Sequence, residues 1–181
     1  HNGPCNFVAW KDNSTNPKTE GTTRFLNEYD VLIRDHNAIS ILKKVLKKEK
    51  TVFESTVSSR KPFGLPTNFD DFCEEGEDTY PCLTKTGIQH VKKDRVTQGV
   101  EMIPLWKSVC SRADGAGSVS DENGQQRALS RSEVIKPNEI CLETYLVTGT
   151  YKTKKEAQNS ADYLLLKLPR FLLRKKKIDQ N

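Results

Sequence analysis

A threonine and a glutamate three residues apart, Thr153-Lys-Lys-Glu156, stand directly before a run of alanines and leucines, and this pairing limits what the end of the chain can become. Thr-x-x-Glu has the spacing of a capping box, in which each side chain satisfies an orphan backbone N–H at a helix start. The spacing predicts a helix beginning at Thr153. Ala157, Ala161, Leu164 and Leu165, then Leu168, recur at the steps of a buried helical face, until Pro169 removes a backbone donor and ends or kinks the helix. Upstream, Tyr145 to Val147 is a short apolar β-type run that Gly149 ends. A strand feeding such a helix predicts an α/β (α+β) domain, a mixed small sheet with flanking helices and a C-terminal helical part. The Thr153 helix is expected to cross the sheet through Ala157, Ala161 and Leu164.

The rest of the chain reads as short elements joined by polar loops. Cys5 to Trp10 alternates loosely and reads as a strand, and Asn13 to Gly21 as a loop. Asp35 or Asn37 caps a helix running to about Lys48, whose apolar stripe is Ile39, Leu42, Val45 and Leu46. A short helix over Val52 to Val57 precedes an irregular loop from Ser58 to Asn68, punctuated by Pro62, Gly64 and Pro66. Tyr80 to Leu83 and Ile88 to Val91 flank Thr84-Lys85-Thr86-Gly87, a hairpin with a four-residue connection. Gln98 to Trp106 is expected as a helix and Lys107 to Cys110 as a strand. From Arg112 to Ser132 the chain is almost without apolar anchors and reads as a long mobile loop.

Charge is informative through its distribution. The formal net charge of +5 is moderate, but Lys43, Lys44, Lys47, Lys48 and Lys50 form one basic run, Lys92, Lys93 and Arg95 a second, and Arg170, Arg174, Lys175, Lys176 and Lys177 a third. Asp70, Asp71, Glu74, Glu75, Glu77 and Asp78 form a compact acidic stretch. Positive faces of this kind attract phosphates, whereas a lysine run on an amphipathic helix is equally well a solvated face. With 35% hydrophobic and 29% charged residues the composition is that of a soluble protein, and no apolar run reaches the roughly 20 residues that span a bilayer. The five cysteines are odd in number and widely spaced, which fits reduced thiols in a cytoplasmic protein and no zinc site. His36 and His90 are similarly isolated. The chain begins at His1, with no signal-type stretch, and is expected to be a piece of a longer protein.

Two blocks carry a family resemblance. Glu143-Thr-Tyr-Leu-Val147, Gly149, Thr153, Glu156-Ala157, Asn159, Tyr163-Leu164, Lys167 and Arg170-Phe-Leu172 form one. Asn27-Glu-Tyr-Asp30, Ile33-Arg-Asp35, Ala38 to Leu42 and Ser58-Ser-Arg-Lys-Pro-Phe-Gly-Leu-Pro-Thr-Asn-Phe69 form the other, with Trp106-Lys107 and Ala113-Asp-Gly115 between them. The chain resembles the C-terminal target-recognition region of bacterial N6-adenine DNA methyltransferases of restriction-modification systems, of the type II, fused or single-chain kind. Leu166 stands where that family has a hydroxyl residue, and Pro169 where it has an aromatic. The resemblance implies that residues 1–181 are one DNA target-recognition domain, with residues 143–181 a strand-helix block within it. It also implies double-stranded DNA and the catalytic methyltransferase domain of the same polypeptide as partners. Phosphate contacts are expected from Ser59, Arg60, Lys61, Lys92, Lys93, Arg170, Arg174 and Lys175, and base reading from Arg112, Gln125, Arg127 and Arg131, since Arg pairs with guanine and Gln with adenine.

Catalytic motifs are missing from the sequence. No acidic or Asn residue is followed by Pro-Pro and an aromatic, the arrangement that grips a flipped adenine, and Gly115-Ala-Gly117 neither follows an apolar strand nor opens a helix. S-adenosylmethionine is therefore expected in the parent protein only. An alternative is a metal-dependent nuclease module assembled from Asp70, Asp71, Glu74 and Glu143, although no Asp-x-Lys or Glu-x-Lys triplet occurs. A third reading, a protein-interaction module, would use the basic helix around Lys43.

Overall fold

The computed structural model describes residues 3–8, 21–29, 33, 36–48, 53–113, 129 and 131–176. In chain order the elements are β1 (Pro4–Phe7), β2 (Thr22–Phe25), α1 (His36–Lys48), β3 (Thr79–Thr84), β4 (Gly87–Lys92), β5 (Trp106–Ser111), β6 (Ser132–Ile135), β7 (Ile140–Cys141), β8 (Tyr145–Tyr151), α2 (Lys154–Leu165) and α3 (Lys167–Lys176). The fold is mixed α+β, with three small sheets and three α-helices among the described residues. It divides into two compact units, His1–Lys50 with Phe171–Ile178, and Thr51–Arg170 with Asp179–Asn181. Among the described residues no helix is long and apolar enough to cross a membrane.

In the first unit, β1 and β2 pair antiparallel with Pro4 opposite Phe25. Ile33, Ala38, Ile39 and Leu42 form a small core against which Tyr29, Phe171 and Leu172 pack. The stripe on α1 is shorter than its spacing predicts, because Val45 is half-buried and Leu46 is exposed. Lys43, Lys44 and Lys47 are exposed on that helix. Arg24 is buried and donates to Ile33 O at 2.8 Å and Glu28 Oε1 at 2.9 Å, and its guanidinium lies over the Phe7 ring.

The second unit is built from two three-stranded sheets, β4-β3-β7 and β6-β5-β8. The first is mixed, with β4 antiparallel and β7 parallel to β3, and the second is antiparallel throughout. Both contribute to one core: Cys82, Leu83, Val91, Ile140 and Cys141 from the first meet Val109, Ile135, Tyr145 and Val147 from the second, with Phe63 and Leu65 from the loop before β3. Burial pushes the Cys82 thiol up to about 12 and the Cys141 thiol also upward, so both act as neutral core side chains, and none of the five cysteines is joined in a disulfide. Ser108 points away from Val109 and bonds Thr148 Oγ1 at 2.8 Å and Ser160 Oγ of α2 at 3.1 Å. Ala157 and Ala161 are fully buried there, their small side chains letting the helix lie close to β5, β6 and β8.

The capping box forms as its spacing predicts, with Glu156 N donating to Thr153 Oγ1 at 3.3 Å and Thr153 N donating to Glu156 Oε2 at 3.0 Å. Several expectations are corrected. Leu164 is half-buried, but Leu165 and Leu168 are exposed, so the buried face of α2 ends early. The helix breaks at Leu166, whose ψ of 159 is extended, and Pro169 instead lies in the first turn of α3, where its missing donor costs little. Gly149 does not end β8. The strand runs on to Tyr151 through a bulge at Thr148, and a Cβ at position 149 would overlap the Tyr151 phenol. The hairpin connection is only Lys85-Thr86, since Thr84 and Gly87 pair within the strands. Gln98 to Trp106 is not a helix: a 3-10 turn covers Val100–Met102, Gly99 before it is left-handed at φ 68, and Pro104 follows. The short helix near Val52 is a 3-10 turn, Phe53–Thr56. β6 and β7 have no counterpart in the sequence reading. Cys5 to Phe7 falls in β1 and Asn37 lies within α1, whereas residues 9–10, residues 13–20 of the Asn13 loop, Asp35, and residues 114–128 and 130 of the Arg112 loop lie outside the described residues.

Candidate nucleic-acid interface

Four separate segments of the second unit meet at one end of the paired sheets. β5 ends at Ser111 and passes to Arg112 and Ala113, and the Arg112 amide donates to Thr144 O at 2.9 Å, just before β8 begins. Arg131 directly precedes β6, which pairs with the same β5, and Lys85 sits in the β3–β4 turn. The fourth segment is the loop from Ser58 to Asn68, which is irregular but held at many points. Ser58 N donates to Val147 O at 2.8 Å and its Oγ accepts from Val147 N at 3.1 Å, while Glu143 N donates to Leu65 O at 3.0 Å. Phe63 and Leu65 anchor the loop in the core. Gly64 at φ 85 and Gly99 at φ 68 allow close approach, since a Cβ on Gly64 would overlap Thr97 Oγ1 and one on Gly99 would overlap Pro62 O.

Between these segments lies a pocket of ≈ 240 Å³ lined by Thr67, Lys85, Ser111, Arg112, Ala113, Arg131, Thr144 and Tyr145. Three cations and four hydroxyl residues therefore line one small concavity. Tyr145 is buried and its hydroxyl donates to Thr84 O at 3.4 Å, so it forms wall rather than a free polar group. Beside the pocket, Glu143 is 3% exposed and accepts from Arg60 Nε, with Arg112 Nε at 4.0 Å from the same oxygen. The hydrogen bond from Arg60 holds the Glu143 carboxyl below the usual range, against the opposing effect of its burial, with help from the charges of Arg60, Arg112 and Lys61. Arg131 is paired with Glu133 through contacts of 2.9 and 3.0 Å. Among the described residues Lys85 has no acidic partner. Arg60, Lys61, Lys85, Arg112 and Arg131 thus stand against the carboxylates of Glu133 and Glu143, leaving this end positive.

No protein-family model, curated protein or solved structure matches the chain.

The expected site residues fall into distinct places. Ser59 and Arg60 are exposed and Lys61 is half-buried at φ 58, all on the anchored loop beside Glu143. Arg112 and Arg131 line the pocket. Lys92 and Lys93 lie at the opposite end of the hairpin from Lys85, because Thr79 pairs with Lys92 and Thr84 with Gly87. There the second basic run is not apart from the acidic stretch: Arg95 bonds Asp71 at 2.7 Å, and Lys93 donates to Glu77 O at 2.6 Å and sits over the Tyr80 ring. Arg170 is exposed at the start of α3, and Arg174 and Lys175 follow in the same helix, past the division at Phe171. Arg170 does not line the pocket. Gln125 and Arg127 lie outside the described residues.

Lys85, Thr67 and Thr144 carry no local signal in the sequence, since segments far apart in the chain bring them together. Glu143 itself sits beside the pocket. It is engaged by two arginines, Asp71 pairs with Arg95, and no three His, Cys, Asp or Glu side chains gather in a metal-binding arrangement among the described residues.

Proposed function

We propose that the chain is the sequence-specific DNA recognition domain of an adenine-N6 DNA methyltransferase or restriction-modification enzyme, non-catalytic in isolation. The observation that carries this reading is the convergence of Arg60, Lys85, Arg112 and Arg131, from four separated segments, at one end of the two sheets. Three of the four are residues that the family resemblance marks for DNA contact. A rigid sheet pair with cations and hydroxyls on its end loops suits a duplex, whose backbone supplies affinity and whose groove edges supply sequence information. Arg112 and Arg131, the two ends of the segment that carries Gln125 and Arg127 in the sequence, both line the pocket. The catalytic partner domain would bind S-adenosylmethionine and carry the methyl transfer, in the cytoplasm. The test is selection from random-sequence duplexes at low salt, with the chain alone and joined to its catalytic domain, followed by incubation with magnesium. Enrichment of one sequence without cleavage supports the reading. Failure of both forms to enrich any sequence overturns it, and magnesium-dependent cutting by the chain alone would replace it with the nuclease.

A further inference from the structure

A base-reading role for Arg112 and Arg131 does not fit their surroundings. Bidentate readout needs a guanidinium that projects from the surface into a groove and meets the flat edge of a base. These two arginines instead line a small concavity together with Lys85 and the hydroxyl residues Thr67, Ser111 and Thr144. Arg131 is also held by Glu133 through contacts of 2.9 and 3.0 Å, and Arg112 lies 4.0 Å from the Glu143 carboxylate that Arg60 bonds. A carboxylate behind an arginine fixes the plane of its fork and leaves the remaining N–H groups to one side, which is the arrangement that suits a tetrahedral oxyanion. At ≈ 240 Å³ the pocket admits a phosphate and its ester oxygens without admitting a duplex groove wall.

We infer that this pocket is the seat of a single phosphate group, held by Lys85, Arg112 and Arg131, with Glu143 as the positioning residue for Arg60 and Arg112. Under the DNA reading above, on which the choice of source rests, that phosphate is one of the duplex backbone. Lys85 supplies the unpaired charge, and the threonine and serine hydroxyls donate to the remaining oxygens. Sequence discrimination then belongs to other residues, and the pocket sets the register of the duplex.

The experiment uses the full chain and the variants Lys85→Gln, Arg112→Gln, Arg131→Gln and Glu143→Gln, with two probes. With random-sequence duplexes, Lys85→Gln and Arg112→Gln each should weaken binding about tenfold at low salt and lower the salt slope by about 0.9 per lost phosphate contact. The sequence enriched by selection should stay the same. For Glu143→Gln the affinity should fall while the salt slope holds, and Glu143→Asp should recover part of it, which a purely structural lesion would not do. With inorganic phosphate, amide shifts at Arg112, Thr144 and Lys85 should saturate in the parent chain and vanish in Lys85→Gln/Arg112→Gln. An altered enriched sequence with an unchanged salt slope would make Arg112 a base reader and overturn the seat while leaving DNA recognition intact. Phosphate shifts without any duplex binding would keep the seat and remove the DNA source. Absence of both phosphate shifts and slope changes in a chain that still binds duplex would overturn the seat alone.

Discussion

A lysine with no solvent exposure is costly unless its ammonium finds acceptors, and Lys107 finds four carbonyls, of Met102, Ile103, Leu105 and Lys136, at 2.6 to 3.2 Å. It ties the end of the 3-10 turn to β5 and to the turn after β6. Replacing it with Met leaves those carbonyls without their donor and should destabilise the fold by about 2 to 4 kcal/mol in urea unfolding. Burial pushes its pKa down to about 8 from an ordinary 10.5. Between those values the unfolded chain holds a proton that the folded chain has released, so stability should rise with pH across that window, and Lys107→Met should lose that rise. A flat profile in the parent chain would show that the carbonyls keep the ammonium charged. Glu143 works in the opposite sense. Its folded pKa is lowered, so its contribution is full above the usual carboxylate range and is lost as pH falls through the lowered value. Glu143→Gln should therefore blunt the acid loss of stability, and an unchanged acid limb would mean that the Arg60 bond contributes nothing in solution. Neither environment was legible in the sequence. Lys107 reads as the start of a strand and Glu143 as part of a family block or a candidate metal ligand, and neither reading gives a partner, since the Lys136 carbonyl and Arg60 lie far away in the chain.

At the scale of elements, legibility followed how local the determinant is. The Thr153-x-x-Glu156 box, the hairpin centred on Lys85-Thr86 and the irregular but anchored Ser58 loop are written in short-range chemistry, and each forms. β7, two residues long, exists because Cys82 and Leu83 of β3 present a parallel edge to Ile140 and Cys141, a long-range fact. The Gln98 to Trp106 helix failed because its apolar spacing competes with a left-handed Gly99 packed under Pro62 O. These causes differ in cost. Thr153→Ala should remove about 1 kcal/mol. Gly99→Ala must change a positive φ and also displace Pro62 O, and should cost more than the cap does by thermal unfolding. Equal effects would mean that the Ser58 loop is not fastened through Gly99.

For the molecule as a whole, net charge says less than where the charges end up. The +5 total is spread over three basic runs, yet the Lys92–Arg95 run is tied to the acidic stretch, and α1 carries exposed lysines on a solvated face. The cations that gather, Arg60, Lys85, Arg112 and Arg131, are scattered singly along the sequence, three of them visible through the chemistry of their side chains and Lys85 not at all. The most direct test is amide-resolved NMR of the full chain titrated with duplex DNA at low salt. The account predicts saturable shifts clustered at Ser59 to Thr67, Lys85, Ser111 to Ala113, Arg131 and Thr144, shrinking as salt is raised. Shifts confined to α1 or to Lys92–Arg95, with the pocket residues unmoved at saturating DNA, would contradict it.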